Sequence, residues 1–65
     1  MRTQYDPATD ALYVRLAEAP VDGSEEVAPG IILDFDAKHR LVGFEILNAK
    51  ATLAAGAVPA LTAAE

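Results

Sequence analysis

Leu12, Val14 and Leu16 alternate with Tyr13 and Arg15, and Met1, Thr3 and Tyr5 are spaced in the same way ahead of them. A period of two marks a half-buried strand, so the pattern predicts strands at 1–5 and 11–16. In the intervening DPATD, Asp6 takes a turn's first position and Pro7 its second, where the ring presets φ for a type I turn. A hairpin follows. Any even shift of its register keeps Tyr5 and Leu12 on one face, so sidedness is better defined than pairing.

Residues 17–26 are polar, with Pro20 and Gly23 as punctuation, and predict a surface loop leading into a short strand at 25–28. After the Pro29–Gly30 break come the clearest strands, 31–35 and 40–47, joined by Asp36, Ala37, Lys38 and His39. Pairing Phe35 with Arg40 sets Leu33 opposite Val42 and Ile31 opposite Phe44, which makes the apolar sets coincide. Ile32, Leu41 and Leu47 then fall on the other face, among Asp34, Gly43 and Glu45. Both faces are partly apolar.

At Asn48 the alternation stops. Asn48 is a favourable N-cap, the positions after it are alanine-rich, and Gly56 is a terminator, so a helix is predicted at 49–55. Pro59 could open a second helical turn, but the stretch is too short and weakly apolar to fold alone. The expected architecture is α+β: a small curled antiparallel β-meander of four or five short strands with one short C-terminal α-helix. It forms a single β-rich domain over 1–55, followed by an alanine-rich tail, 56–65, expected to be disordered unless a neighbour binds it. No internal repeat or linker divides the chain.

One helix cannot cover both faces, so the pattern calls for another copy or another protein on the face that remains. Length sharpens this. Among 65 residues, a single core rarely contributes more than about 3 to 5 kcal/mol of net stability. The chain has no cysteine, which removes disulfides as a supplement; of the two others, a structural metal and oligomerisation, a homo-oligomer, a dimer first, is the expected one. Candidate interface residues are Tyr13, an amphipathic side chain of a type enriched at interfaces, with Arg15, Ile32, Leu41 and Leu47.

Charge restricts the partners. Ten acidic residues against five basic give a net charge of −5, the wrong sign for a nucleic-acid backbone. A basic protein surface is admissible. Glu25, Glu26 and Glu45 would present the acidic patch, with Arg15 and Arg40 setting orientation, unless they are solvated cross-strand pairs. The opening MRTQYDPATD contains no apolar segment of the signal-peptide kind. The apolar run at 51–64 is broken by Gly56 and Pro59 and falls short of the roughly 17 to 25 residues a spanning helix needs. A soluble cytoplasmic protein is expected, away from membranes.

The candidate chemistry is sparse. Asp6 and Asp10 could pass for a metal or acid/base pair, but DPATD supplies two carboxylates and no glycine, unlike a calcium loop. The reading as a turn, with Asp6 accepting backbone hydrogen bonds and Asp10 closing the corner, is favoured. Asp34, Asp36 and His39 could hold a divalent ion if the second hairpin folded back, although a lone histidine is weak support. Otherwise Asp36 caps its own turn. Ser24 and His39 are the single serine and histidine, but no nucleophile elbow, phosphate-cradling loop or dinucleotide fingerprint accompanies them. Absence of cysteine also excludes thiol catalysis. No cofactor is implied.

Two separated stretches, YDPATDALYVRL and VAPGIILDFDAKHRLVGFEILNA, follow the pattern Tyr-Asp-x-x-x-Asp-x-Leu-Tyr, then Gly-x-x-Leu-Asp, then Val-Gly-x-Glu-Ile. Over about residues 4–49 the chain resembles the small prokaryotic proteins of the domain of unknown function 2283 family. The resemblance implies a compact β-rich cytoplasmic domain, similar in size to small antitoxins, with no catalytic residues to carry over. His39 departs from the pattern, which commonly has Gly or Asn in that turn, and the tail after residue 50 lies outside it.

The leading expectation is a non-catalytic, self-associating or protein-binding module, antitoxin-like or regulatory. The alternatives are a small-ligand or metal-binding domain using Asp34, Asp36 and His39, and a weak enzyme assembled at an oligomer interface.

Overall fold

A computed structural model of the chain describes residues 1–54, 56 and 57. Five strands form, β1 (Arg2–Asp6), β2 (Ala11–Arg15), β3 (Gly23–Ala28), β4 (Ile31–Phe35) and β5 (Leu41–Ile46), followed by the helix α1 (Ala49–Thr52). All neighbours are antiparallel, in one open sheet of order β1-β2-β5-β4-β3. The α+β class is as expected.

The strand order is not a continuous meander. β3, β4 and β5 meander, but β2 lies beside β5, so β2–β5 have Greek-key order. The physical reason lies in what each strand can bury. A strict meander would put GSEEVA between two neighbours at the centre of the sheet, whereas the observed order places LVGFEI there and sends the two glutamates to an edge. Residues 16–22 make the crossing. They span three strand spacings, roughly 14 Å, well within their extended reach of about 23 Å. The amides of Leu16 and Ala17 both donate to the Val42 carbonyl (2.7 and 3.1 Å), which starts the loop across β5.

The second hairpin is tighter than the pattern predicts. The Asp36 amide donates to the Arg40 carbonyl (2.9 Å) and that of His39 to the Asp36 carbonyl (2.9 Å), with His39 left-handed at φ 61°. A left-handed third residue is what a three-residue hairpin loop requires. Phe35 therefore pairs with Leu41, and an irregularity between Asp34 and Phe35 makes Val42 the extra residue. Together the two changes slip the ladder by two residues. Leu33 faces Phe44 rather than Val42, and Ile31 faces Ile46 rather than Phe44. An even slip preserves the faces.

Tyr5, Leu12, Val14, Ile46 and Ala49 form the buried core, with Ile31, Phe44 and Leu53 packed against it. Each such large side chain contributes roughly 1.5 to 3 kcal/mol when fully buried. The helix closes over this face. It is shorter than the predicted 49–55, because Leu53 turns extended (φ −88°, ψ 157°) and packs on the core. Asn48 does not cap it in the expected manner: it is left-handed (φ 51°) and makes no side-chain cap bond. Residue 55, the second turn predicted at Pro59 and residues 58–65 of the tail lie outside the described residues. Among the described residues, no helix is long and apolar enough to cross a membrane.

Candidate functional site

The carboxylates and phenols of the first hairpin do not converge. Asp6 Oδ1 accepts the Ala8 amide at 2.9 Å, an Asx turn around Pro7. Asp10 sits at φ 55°, a conformation Asp tolerates better than most residues. Its Oδ1 accepts the buried Tyr5 hydroxyl at 2.6 Å. Its two oxygens also receive the Lys50 amide at 3.3 Å each, while its carbonyl accepts the Ala49 amide at 2.9 Å. Asp10 thus holds the start of the helix that Asn48 leaves uncapped. Tyr13, paired with Gln4 rather than Leu12, stands on the opposite face of the sheet from Tyr5.

The proposed ion ligands are separate. Asp34 is 4% exposed and accepts the Ser24 hydroxyl at 2.7 Å across the β3–β4 pair. That bond also occupies the single serine, whose hydroxyl proton goes to Asp34. Asp36 caps its turn: Oδ1 accepts the amides of Lys38 (2.9 Å) and Arg40 (2.8 Å), and Oδ2 accepts Arg40 Nε (2.9 Å). The Arg40 amide above all holds its carboxyl below the usual 3.8; desolvation opposes it as the next-largest effect, and the Arg40 guanidinium and the Lys38 amide add to the lowering. His39 stacks on Phe35 with ring centroids 4.3 Å apart and planes 12° from parallel. Such a pair is worth about 0.5 to 1.5 kcal/mol, enough to offset most of the roughly 1 to 2 kcal/mol cost of a left-handed residue with a Cβ. Among the described residues, no three His, Cys, Asp or Glu are grouped so as to hold a metal ion.

What remains is the sheet face opposite the helix. Cross-strand pairing aligns Gln4, Tyr13, Glu45, Ile32 and Glu26 in one row, with Arg2, Arg15, Gly43, Asp34 and Ser24 in the next. Tyr13 and Ile32 are half-buried on it. Arg15 is committed within the chain: Nε and Nη2 donate to the carbonyls of Ala17 (3.0 Å) and Ala19 (2.6 Å), and Nη1 to the Tyr13 hydroxyl (3.2 Å). It therefore orients the phenol and ties down the crossing loop. Leu41 and Leu47 are 40% and 38% exposed, at opposite ends of β5, and Leu41 leaves the simple alternation because of the extra residue at Val42. Two open concavities flank Tyr13, one of about 450 Å³ between Gln4, Thr9, Ala11 and Glu45, the other of about 280 Å³ beside Arg2, Thr3 and Arg15.

Gly43 was not among the candidates, yet it shapes this face. A Cβ there would lie 2.5 Å from the Val14 carbonyl oxygen and 3.3 Å from the Tyr13 hydroxyl, so β2 and the phenol come this close only because the position is glycine. A glycine inside an apolar strand run was the available signal. Asp10's reach to Lys50 had no local signal, since the partners are 40 residues apart.

No curated protein and no solved structure matches the chain. The family model for a protein of unknown function, DUF2283, matches residues 2–50, β1 through the first turn of the helix, and the chain belongs to that family.

Proposed function

We propose that the chain is a non-catalytic interaction module whose basal state is a homodimer, acting in the cytoplasm as a small regulatory or antitoxin-like protein. The uncovered sheet face carries this reading. A four-residue helix closes over one face only, while Tyr13 and Ile32 stand half-buried on the other with Leu47 exposed just past the end of β5. Such a surface suits a protein partner, and a domain this small with no disulfide gains stability from association with a second copy. The polar groups that could do chemistry are occupied in turns and cross-strand bonds, with Asp36 in its turn, Ser24 on Asp34 and Asp10 on Tyr5.

Size-exclusion chromatography with light scattering tests the reading. The expected mass at micromolar concentration is twice the chain's 6.8 kDa. A well-folded, strictly monomeric species would overturn it.

A further inference from the structure

Resting on the self-association in that reading, we propose that two copies join edge to edge through β1, in antiparallel register centred on Gln4, to make one continuous ten-stranded sheet about a two-fold axis, whose uncovered face stays open to a different protein. The sheet has two open edges, β1 and β3, and they are not equivalent. β3 carries Glu25 and Glu26 side by side and an irregularity at Val27. Pairing β3 with its own copy over its full length would set Glu25 of one chain against Glu26 of the other, twice. Adjacent charges and a bulge are the usual protection of an edge.

β1 lacks both devices. It pairs with β2 in unbroken register over Arg2–Asp6, contains no proline, and is uncharged at Thr3, Gln4 and Tyr5. Only the Gln4-centred register uses all five residues, and that register sets Arg2 of each copy opposite Asp6 of the other. It also pairs Thr3 with Tyr5, a β-branched residue against an aromatic, on the core face. Charge complementarity and full overlap thus select the same alignment. Arg2 is free to take part: its contact to Glu18, 3.2 Å through Nε, joins two side chains that are 68% and 73% exposed, an ion pair of little strength. Asp6 uses Oδ1 on Ala8, which leaves Oδ2 to face the guanidinium. The two-fold arrangement consumes both β1 edges and ends in the protected β3 on either side, whereas β1 against β3 would always leave one β1 and one β3 edge to pair again and grow without limit. On the open face, the concavities flanking Tyr13 both reach Gln4, so in the dimer they run into their counterparts across the axis.

The chain has no cysteine, so Gln4→Cys in the full-length protein gives a single reporter. Opposed residues of an antiparallel pair have Cα atoms about 4.5 to 5.5 Å apart, inside the roughly 4.4 to 6.8 Å that a disulfide spans. Mild oxidation should convert Gln4→Cys to a covalent dimer on a non-reducing gel and leave Glu26→Cys monomeric. Arg2→Glu and Asp6→Lys should each weaken association on the order of tenfold, and an equimolar mixture of the two should restore it, since every facing pair is then opposite in sign. Circular dichroism confirms that each variant is folded, and Arg2→Glu alone decides the charge test if Asp6→Lys is not. A dimer by light scattering that cross-links through Glu26→Cys but not Gln4→Cys overturns the β1 assignment and leaves self-association standing. Growing polymers overturn closure through β1. A monomer overturns both.

Discussion

Asp10 joins the two ends of the domain, so its removal should cost far more than the loss of a turn residue. The carboxylate takes the buried Tyr5 hydroxyl at 2.6 Å and reaches the Lys50 amide at 3.3 Å. A hydrogen bond to a charged acceptor is worth about 1.5 to 3 kcal/mol. The two contacts to Lys50 are long, and a helix of four residues has little dipole, so that end adds no more than about 0.5 kcal/mol. Asp10→Asn keeps a side chain that tolerates φ 55° and can still accept from Tyr5, so it should cost about 1 kcal/mol, the difference between a charged and a neutral acceptor. Asp10→Ala loses the bond and adds left-handed strain of about 1 kcal/mol, for a total of about 3 kcal/mol. Against a net stability of about 3 to 5 kcal/mol, that variant should be partly unfolded at room temperature. The assay is urea unfolding followed by circular dichroism, with Tyr5→Phe, Asp10→Ala and the double variant completing a cycle. The coupling should be at least about 1 kcal/mol. Additive single effects would show that the Tyr5–Asp10 bond contributes nothing and would refute the reasoning.

Two further outcomes follow from local geometry. Gly43→Ala should destabilise by about 1 to 3 kcal/mol, because the clash at 2.5 Å is with the Val14 backbone and no side chain can swing aside; an unchanged urea midpoint would remove the reason given for glycine there. Asp36 has its carboxyl lowered in the folded turn, so its contribution is present above pH 3.8 and is lost as pH falls through the lower, folded value. Protection of the Lys38 and Arg40 amides against exchange, taken relative to the intrinsic rate at each pH, should therefore fall at the acid end of that window in the native protein, and the fall should be absent in Asp36→Asn.

The parts of this fold that the sequence made legible are those written in a short period. Alternation at Leu12, Val14 and Leu16 and at Ile31, Leu33 and Phe35 located the strands within a residue or two and sorted their faces, because the pleat itself has a period of two. Alternation carries no information about which strand lies beside which, so the placement of β2 against β5 escaped it. The register escaped it for a related reason: a left-handed His39 shortens the loop by one residue and Val42 adds one, and the two changes cancel in the pattern of faces. Asn48 takes the N-cap position that its residue type signals, but without a side-chain bond, because cap preference is local, whereas the carboxylate that meets this helix comes from Asp10, 40 residues from Lys50. The candidate trio of Asp34, Asp36 and His39 is dispersed for the same reason. Asp34 and Asp36 are both spent on nearer partners, Ser24 and the Arg40 amide, which spacing alone does not reveal.

The family match and the hydrogen bonds delimit the same unit. The matched segment begins at Arg2, the first residue of β1, and ends at Lys50, whose amide reaches the Asp10 carboxylate. Between these points the chain closes on itself: the Tyr5–Asp10 corner from the first hairpin receives the amides of Ala49 and Lys50 that follow the second. A helix of four residues has no independent stability, so its position is dictated by that corner and by Ala49, which is fully buried beneath it. The corner therefore does the work of a missing cap and a missing disulfide at once. It holds the helix over one face of the sheet, and by doing so it leaves the opposite face, with Tyr13 between its two concavities, without a helix over it.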